Sequence, residues 1–346
     1  MDKTRIRKIR LSEVFSGFFW RKSMKFKNRA TLYFLITPIL FLLSGCIYNI
    51  SLLPKVGPLR ETVVSGKGVN KIALIDISGF ISKEKPSGLI EQPDMVSRLK
   101  EELTAAAKDD KVKAILLRVN SPGGTITASD LIYHEVLQFK KKTGKKVIVS
   151  ILDLGASGAY YIAMAADKIV VHPTSVIGSI GEIMMHVNFE GLMKKVGVSA
   201  EAIKSGPLKD MGTPMKPLTS ESRGVLQGVI DDMYERFLSV IVKNRKNLSA
   251  DQIRKLADGR VYTASEALKF GLVDQIGYLQ EAIELTQSEV GLSEAKIIFY
   301  SRGEGAKNNI YSQVLQKTEM PLSAWGINPK QLLQAGAPKF LYLWMP

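Results

Sequence analysis

Cysteine is almost missing from this chain. Cys46 is the only one among 346 residues, so no intramolecular disulfide can form and no thiolate cluster can hold a metal. Histidine is scarce too: His134, His172 and His186 are the full set, and no zinc-type ligand spacing is present. Acids are outnumbered, with 48 Lys and Arg against 33 Asp and Glu and a formal charge of +15. That excess is local, because residues 1–30 hold ten basic side chains against Asp2 and Glu13 alone. The remainder is close to balance and has neither an Arg/aromatic RNA-binding signature nor a basic helix suited to a groove. Nucleic acid is therefore not an expected partner. The 45% hydrophobic content excludes a disordered or fibrous chain and is ample for a buried core.

Charge is absent altogether from Ala30 to Pro54. The apolar centre of that stretch, "LYFLITPILFLL", follows a basic flank and ends in "LSGC", which is the pattern of an export signal. Leu43, Ser44, Gly45 and Cys46 resemble the lipobox of bacterial lipoproteins, which implies cleavage before Cys46 and lipidation of its thiol. The other reading is an uncleaved transmembrane helix, since 25 uncharged residues are long enough to span a bilayer. Either way the Lys/Arg excess holds the N-terminus inside and places residues after 50 on the extracytoplasmic side of a cell membrane. Met24 opens a well-proportioned signal of its own, and translation is expected to start there. The expected organisation is a signal peptide or anchor over 1–45, a Pro/Gly-marked linker over 46–70, a folded domain over 71–290 and an extension over 291–346 with no assigned role.

The folded part alternates in period. "KIALIDISG" (71–79), "VKAILLRV" (112–119), "KKVIVSIL" (145–152) and "KIVVH" (168–172) are predicted strands. Helical stretches run from Asp94 to Lys108, from about Thr127 to Lys142, and from Ser157 through Ala166. Strands and helices in this alternation predict βαβ units with a parallel sheet, hence an α/β fold. Glu221 to Asn247 is the clearest helix. Its apolar residues Val225, Val229, Met233, Phe237 and Ile241 recur every four positions, a stripe expected to face the core or, in part, a subunit interface.

Two short motifs could carry chemistry. Ser157 in "GASGAYY" stands where a strand gives way to a helix, which exposes a serine hydroxyl at the carboxyl end of a sheet. The plain alternative is a helix N-cap, a position serine favours for ordinary hydrogen bonding. "NSPGG" (120–124) follows the neighbouring strand, and its glycines free backbone N–H groups of the kind an oxyanion needs; an ordinary Pro-Gly turn reads the same. A serine nucleophile requires a base. His134 falls mid-helix and His172 ends a strand, so both are poorly placed, and His186 is the weaker candidate that remains. A lysine can serve instead if burial brings its pKa down from about 10.4 so that the amine is neutral. Composition does not choose among so many lysines.

"VNSPGGTITASDLIY", "ASGAYYIAMAADKIV", "IGSIGEI", "IKSGPLKD" and "DGRVYTASEALKFGLVDQIG" together resemble the signal peptide peptidase A family of serine peptidases, peptidase family S49, over about residues 72–280. The resemblance implies a Clp protease/crotonase-like fold and a Ser-Lys dyad without cofactor or metal. By motif, Ser157 is the implied nucleophile and Lys209 the general base, with Lys204 a near neighbour without that role. Ser179 supports the lysine, and Gly123, Gly124 and the N–H of Gly158 form the oxyanion hole. The Clp proteolytic subunit shares the "NSPGG" region, but Glu182 stands where its catalytic histidine would fall. The single-domain length implies the short form of the family, in which a homo-oligomeric ring, expected to be an octamer, shares each dyad between protomers. The expected activity is a membrane-anchored serine endopeptidase cleaving hydrophobic peptides such as remnant signal peptides. The alternatives are a non-catalytic, crotonase-like peptide-binding scaffold at the membrane and an acyl-CoA enzyme of the same fold, the latter opposed by export.

Overall fold

The structure is a computed structural model and describes residues 57–85, 92–302, 309–312 and 340–344. Cys46, the apolar run before it and Met24 lie outside the described residues. Among the described residues no helix is long and apolar enough to cross a membrane.

The chain runs through β1 (Arg60–Ser65), β2 (Lys71–Ser78), α1 (Met95–Lys108), β3 (Val112–Ser121), β4 (Gly123–Thr125), α2 (Ile126–Thr143), β5 (Lys146–Ala156), α3 (Gly158–Ala163) and β6 (Lys168–Val171). It continues through β7 (Val176–Gly178), β8 (Ile183–Met184), α4 (Glu190–Lys195), α5 (Ser220–Asn244), α6 (Ala250–Leu256) and β9 (Val261–Thr263). The last elements are α7 (Ala264–Lys269), β10 (Gln275–Ile276), α8 (Leu279–Glu289), β11 (Lys296–Ser301) and β12 (Phe340–Leu343). The main sheet has the order β1-β11-β2-β3-β5-β6-β10, with β7 paired to β5 and β9 to β7. Strands β2, β3, β5 and β6 pair parallel to one another. Parallel neighbours need crossover connections, which α1 and α2 supply, and the fold is α/β as the alternating pattern predicts.

Apolar residues in unbroken runs explain why both faces of the sheet are covered. Ala73, Ile75 and Ile77 of β2 pack in one cluster with Leu99 and Leu103 of α1 and Ile132 and Val136 of α2. Ile72 and Leu74, one residue out of phase, pack in another with Ala114, Leu116 and Ile148 under Leu279 and Ile283 of α8. The period of two sends alternate side chains to opposite faces, and a sheet buried on both sides has no polar alternate. Caps fix the helix ends. The Asp94 carboxylate accepts from the N–H groups of Val96 at 3.0 Å and Ser97 at 3.1 Å, and Gly144 ends α2 in the left-handed region at φ 67°.

The strand run is broken by one ion pair. Asp76 and Arg118 are register partners on β2 and β3, and both are buried. Arg118 Nε donates to Asp76 Oδ1 at 2.6 Å and Nη2 to Oδ2 at 2.7 Å. The same guanidinium donates to the carbonyls of Ile310 and Ser312, so the pair also holds the segment after β11 against the sheet.

The structure departs from the expected boundaries at three places. Within the stretch read as a linker, Arg60–Ser65 forms β1 and pairs antiparallel with β11. Residues after 290 supply β11 to the main sheet and β12 to a second, three-stranded sheet ordered β4-β12-β8. The long helix α5 is only half in the core: Phe237, Leu238, Val240 and Ile241 are buried, whereas Val225 is 41% exposed and Val229 is half-buried. A periodic stripe specifies a face and leaves open what covers it.

Replacing Asp76 by Ala leaves Arg118 buried without its counter-charge. The expected loss of folding stability is about 3–5 kcal/mol, measured by denaturant titration of the full chain; a loss below about 1 kcal/mol speaks against the pair's role.

Candidate active site

The site forms where β5 outruns its neighbour. Ile148 to Ile151 of β5 pair with Lys168 to Val171 of β6, and Leu154 to Ala156 then pair with Val176 to Gly178 of β7. On the other side Ser121 of β3 stands opposite Gly155. Three parallel strand ends therefore stop together, carrying Gly123 and Gly124, Ser157, and Ser179. Carboxyl ends of strands in an open α/β sheet are where such folds place their ligand crevice.

Both serines are held in a conformation serine avoids. Ser157 has φ 52° and ψ −114° and Ser179 has φ 47°. Among the described residues they are the only non-glycine residues with positive φ, and each such residue costs about 1–3 kcal/mol. Hydrogen bonds from neighbouring strands fix them: Ser157 N–H donates to Gly178 O and Ser179 N–H to Arg260 O, both at 2.7 Å. Ser157 occupies the N-cap position of α3 yet makes no side-chain capping bond. Its residue is fully buried, and its Oγ points to the carbonyl of Gly181 at 3.4 Å. The capping role that would explain a serine here is not performed.

The glycines converge on it. A Cβ on Gly123 would lie 2.8 Å from Gly158 N, and one on Gly158 would lie 3.3 Å from Gly124 N. Gly124 has no room for a side chain, since its Cβ would meet the Ile81 carbonyl oxygen at 2.0 Å. The Gly123 N–H donates to Ser121 Oγ at 3.1 Å, which leaves the Gly124 and Gly158 amides as the near pair of donors.

Across these glycines lies β12. Tyr342 pairs antiparallel with Gly124 and Leu343 with Gly123, while Leu341 on the opposite edge pairs with Ile183 of β8. The Tyr342 carbonyl oxygen is 3.2 Å from the point a Gly158 Cβ would occupy. Its side chain is fully buried, stacks on Tyr161 at 5.2 Å and leans on Phe237 at 4.7 Å between ring centroids. The hydroxyl donates to the Met233 carbonyl at 3.0 Å. Beside it lies Glu182, whose carboxyl oxygens are buried without a hydrogen bond of good geometry. Burial pushes the Glu182 pKa up to about 8; the Tyr342 hydroxyl pulls it back, and the negative Asp232 adds to the rise.

The bases are elsewhere. Lys209 is exposed, and among the described residues no hydrogen bond joins it to Ser157, whose hydroxyl meets only Gly181. It belongs to a stretch between β8 and α5 in which α4 buries no residue. Lys204 is bound to Asp210 at 2.8 Å and to the Pro207 carbonyl at 3.0 Å. Those contacts, the Asp210 bond above all, hold its pKa above the usual lysine value, which suits a charged ammonium and not a base. His134 is exposed, His172 Nδ1 meets Thr174 Oγ1 at 2.8 Å, and His186 Nε2 meets the Thr213 carbonyl at 3.0 Å. None of the three contacts Ser157. Among the described residues no His, Cys, Asp or Glu group is arranged to hold a metal ion.

The sequence profile of peptidase family S49 matches residues 139–293, a span that contains Ser157, Ser179 and Lys209. A protein of Enterococcus faecium that carries the name signal peptide peptidase SppA is 37% identical over 243 residues, which cover 70% of each chain. This chain belongs to peptidase family S49. As an S49 member it is a protease. Protease 4 of Haemophilus influenzae is 38% identical over 225 residues, covering 64% of this chain and 35% of that longer one. Among solved structures, a point mutant of ClpP1 from Listeria monocytogenes is 20% identical with a TM-score of 0.40, covering 61% of this S49 chain and 94% of its own. Sequence reasoning did not find the Tyr342 recess or the place of Glu182 in it. The one signal was the apolar "FLYL" at 340–343, which periodicity cannot connect to a site more than half the chain away.

Glycine at position 157 relieves the positive φ. Ser157→Gly is expected to raise stability by about 1 kcal/mol, the relieved strain less the added chain entropy; denaturant titration showing a loss instead would argue that the backbone there is unstrained.

Proposed function

We propose that this S49 protease is a membrane-anchored serine endopeptidase with a Ser-Lys dyad, in which Ser157 is the nucleophile, Lys209 the general base and Ser179 a support for the lysine. The observation that carries the reading is the setting of Ser157, a buried serine held at φ 52° without a capping bond, beside the converging amides of Gly124 and Gly158. A strained turn of this kind persists where surrounding structure enforces it, and it aims the hydroxyl.

Neutral Lys209 takes the Ser157 proton as Oγ attacks the substrate carbonyl carbon. The resulting oxyanion is held by the Gly124 and Gly158 N–H groups, with Gly123 at φ +99° keeping the turn open. The lysine returns its proton to the leaving amine, and water, activated in the same way, releases the acyl group. Because Lys209 is exposed and joined to nothing at its own Ser157, the base is supplied by a neighbouring subunit in a homo-oligomeric ring. The exposed Leu192, Val196, Val198, Ile203 and Val225 support such a contact, since apolar residues grouped in one part of the chain favour a partner over water. Burial in that interface is what would lower the lysine pKa.

The substrate lies as an extended strand where β12 lies, hydrogen-bonded to β4 and β8. Its residue at the place of Tyr342 fills the recess walled by Tyr161 and Phe237, and the bond cut follows that residue. Hydrophobic peptides such as remnant signal peptides are the substrates expected outside the cytoplasm. Anchoring at Cys46 through a lipid, or through the preceding apolar run, raises the local concentration of substrates in the same membrane.

A fluorophosphonate probe is expected to label the wild-type chain and to fail with Ser157→Ala and with Lys209→Ala; labelling that survives Ser157→Ala overturns the nucleophile. Mixing those two variants should restore activity in rings that contain both, and none recovered in verified mixed rings would refute a shared dyad.

A further inference from the structure

We propose that Glu182 makes the recess beside Ser157 select a basic side chain, arginine or lysine, over an apolar one of similar length. The inference rests on the reading of β12 as standing in the place of substrate. Glu182 follows Gly181, whose carbonyl faces Ser157 Oγ, and precedes Ile183, which pairs with Leu341. The backbone thus delivers its carboxyl to the recess that Tyr342 fills.

The floor of that recess has more acceptors than donors. Tyr342 brings one hydroxyl proton, and the Met233 carbonyl takes it. Both Glu182 oxygens remain buried without a good hydrogen bond, and Asp232 adds negative potential. Arg236, whose charge reaches Tyr342, is committed to Asp130 at 2.6 Å from Nη2 and 3.2 Å from Nε. Tyr161 on the recess wall also spends its hydroxyl on Asp130, at 2.6 Å. Tyr133, which packs edge-on to Tyr161, accepts from Asn244. A guanidinium or ammonium entering in place of the phenol displaces the carboxyl proton and then has both Glu182 oxygens as acceptors, beside aromatic walls suited to a cation. An apolar side chain leaves the carboxyl unpaired, a penalty that a polar site imposes on a ligand lacking the matching group.

The pH dependence follows in sign. With Tyr342 in the recess, burial first and Asp232 after it push the Glu182 pKa up to about 8, against the pull of the Tyr342 hydroxyl. A bound arginine favours the ionised form and draws the pKa down. Discrimination between arginine and leucine therefore grows as pH rises through the neutral range towards 8 and above, where an apolar occupant must bury a carboxylate.

The test uses the full chain and peptides of one sequence that differ only at the residue preceding the cut: Arg, Lys, Leu, Tyr or Phe. The wild type is expected to favour Arg over Leu by about tenfold or more in kcat/KM at pH 8, with the ratio increasing from pH 6 to pH 9. In Glu182→Gln the Arg/Leu ratio should fall about tenfold and lose its pH dependence. Ratios cancel any general loss of activity. Should Glu182→Gln not fold, the wild-type pH series decides alone: an Arg/Leu ratio that is flat from pH 6 to pH 9 overturns the proposal. An unchanged ratio in a folded Glu182→Gln overturns it as well. Failure of the fluorophosphonate to label Ser157 in the wild type would bring down the proposed function itself, whereas labelling with no preference for Arg defeats only this inference.

Discussion

The length of β5 is the constraint on which the site depends. Its first half pairs with β6 and its last three residues with β7, so the strand carries its ladder past the point where β6 has stopped. Had β5 ended at Ile151, the residues from Leu154 on would lie in a loop. Nothing would then force Ser157 into a left-handed turn. Backbone bonds to Gly178 and Arg260 hold the two strained serines, and the buried apolar ladders of β3, β5 and β6 offset their conformational cost. Strain at this point is a consequence of register.

A second consequence is the slot between β4 and β8. Each is too short to persist as a sheet by itself, with three and two residues, and they meet only through β12. The extended segment between them here is β12, held by main-chain pairing on both edges and by Tyr342 in its recess. Gly124 takes part in both arrangements, since it pairs with the strand and also lies beside Gly158. The stretch holding Lys209 behaves in the opposite way. With no residue of α4 buried, that helix is not fixed by the core.

Much of this was legible in the sequence because its signals are local. Runs such as "KIALIDIS" and "VKAILLRV" declare buried parallel strands by having no regular polar alternate, and Asp94 and Gly144 mark helix ends by caps that reach only a few residues. Ser157 was legible as a candidate for the same reason, being flanked by glycines at a change of period. Legibility failed where meaning depends on distant partners. The Pro/Gly content around β1 reads as a linker until β11, more than 200 residues on, offers it an edge. The stripe of α5 reads as one face for the core or, in part, for a subunit interface, and only the fold shows that its buried residues gather mainly in its second half.

The sequence by itself determined the α/β class, the strand and helix order, and the pairing of a serine turn with a glycine turn, because hydrophobic period and turn chemistry act over a few residues. The tertiary structure decided the rest. It alone showed that Ser157 caps nothing, that Gly123 spends its N–H on Ser121, that the far C-terminal strand lies in the groove, and that the Glu182 carboxyl is buried beside Tyr342 with no good partner. Each of these is a matter of who stands next to whom after long-range pairing. A periodic pattern fixes which face a residue takes, and only the closed sheet fixes what that face meets.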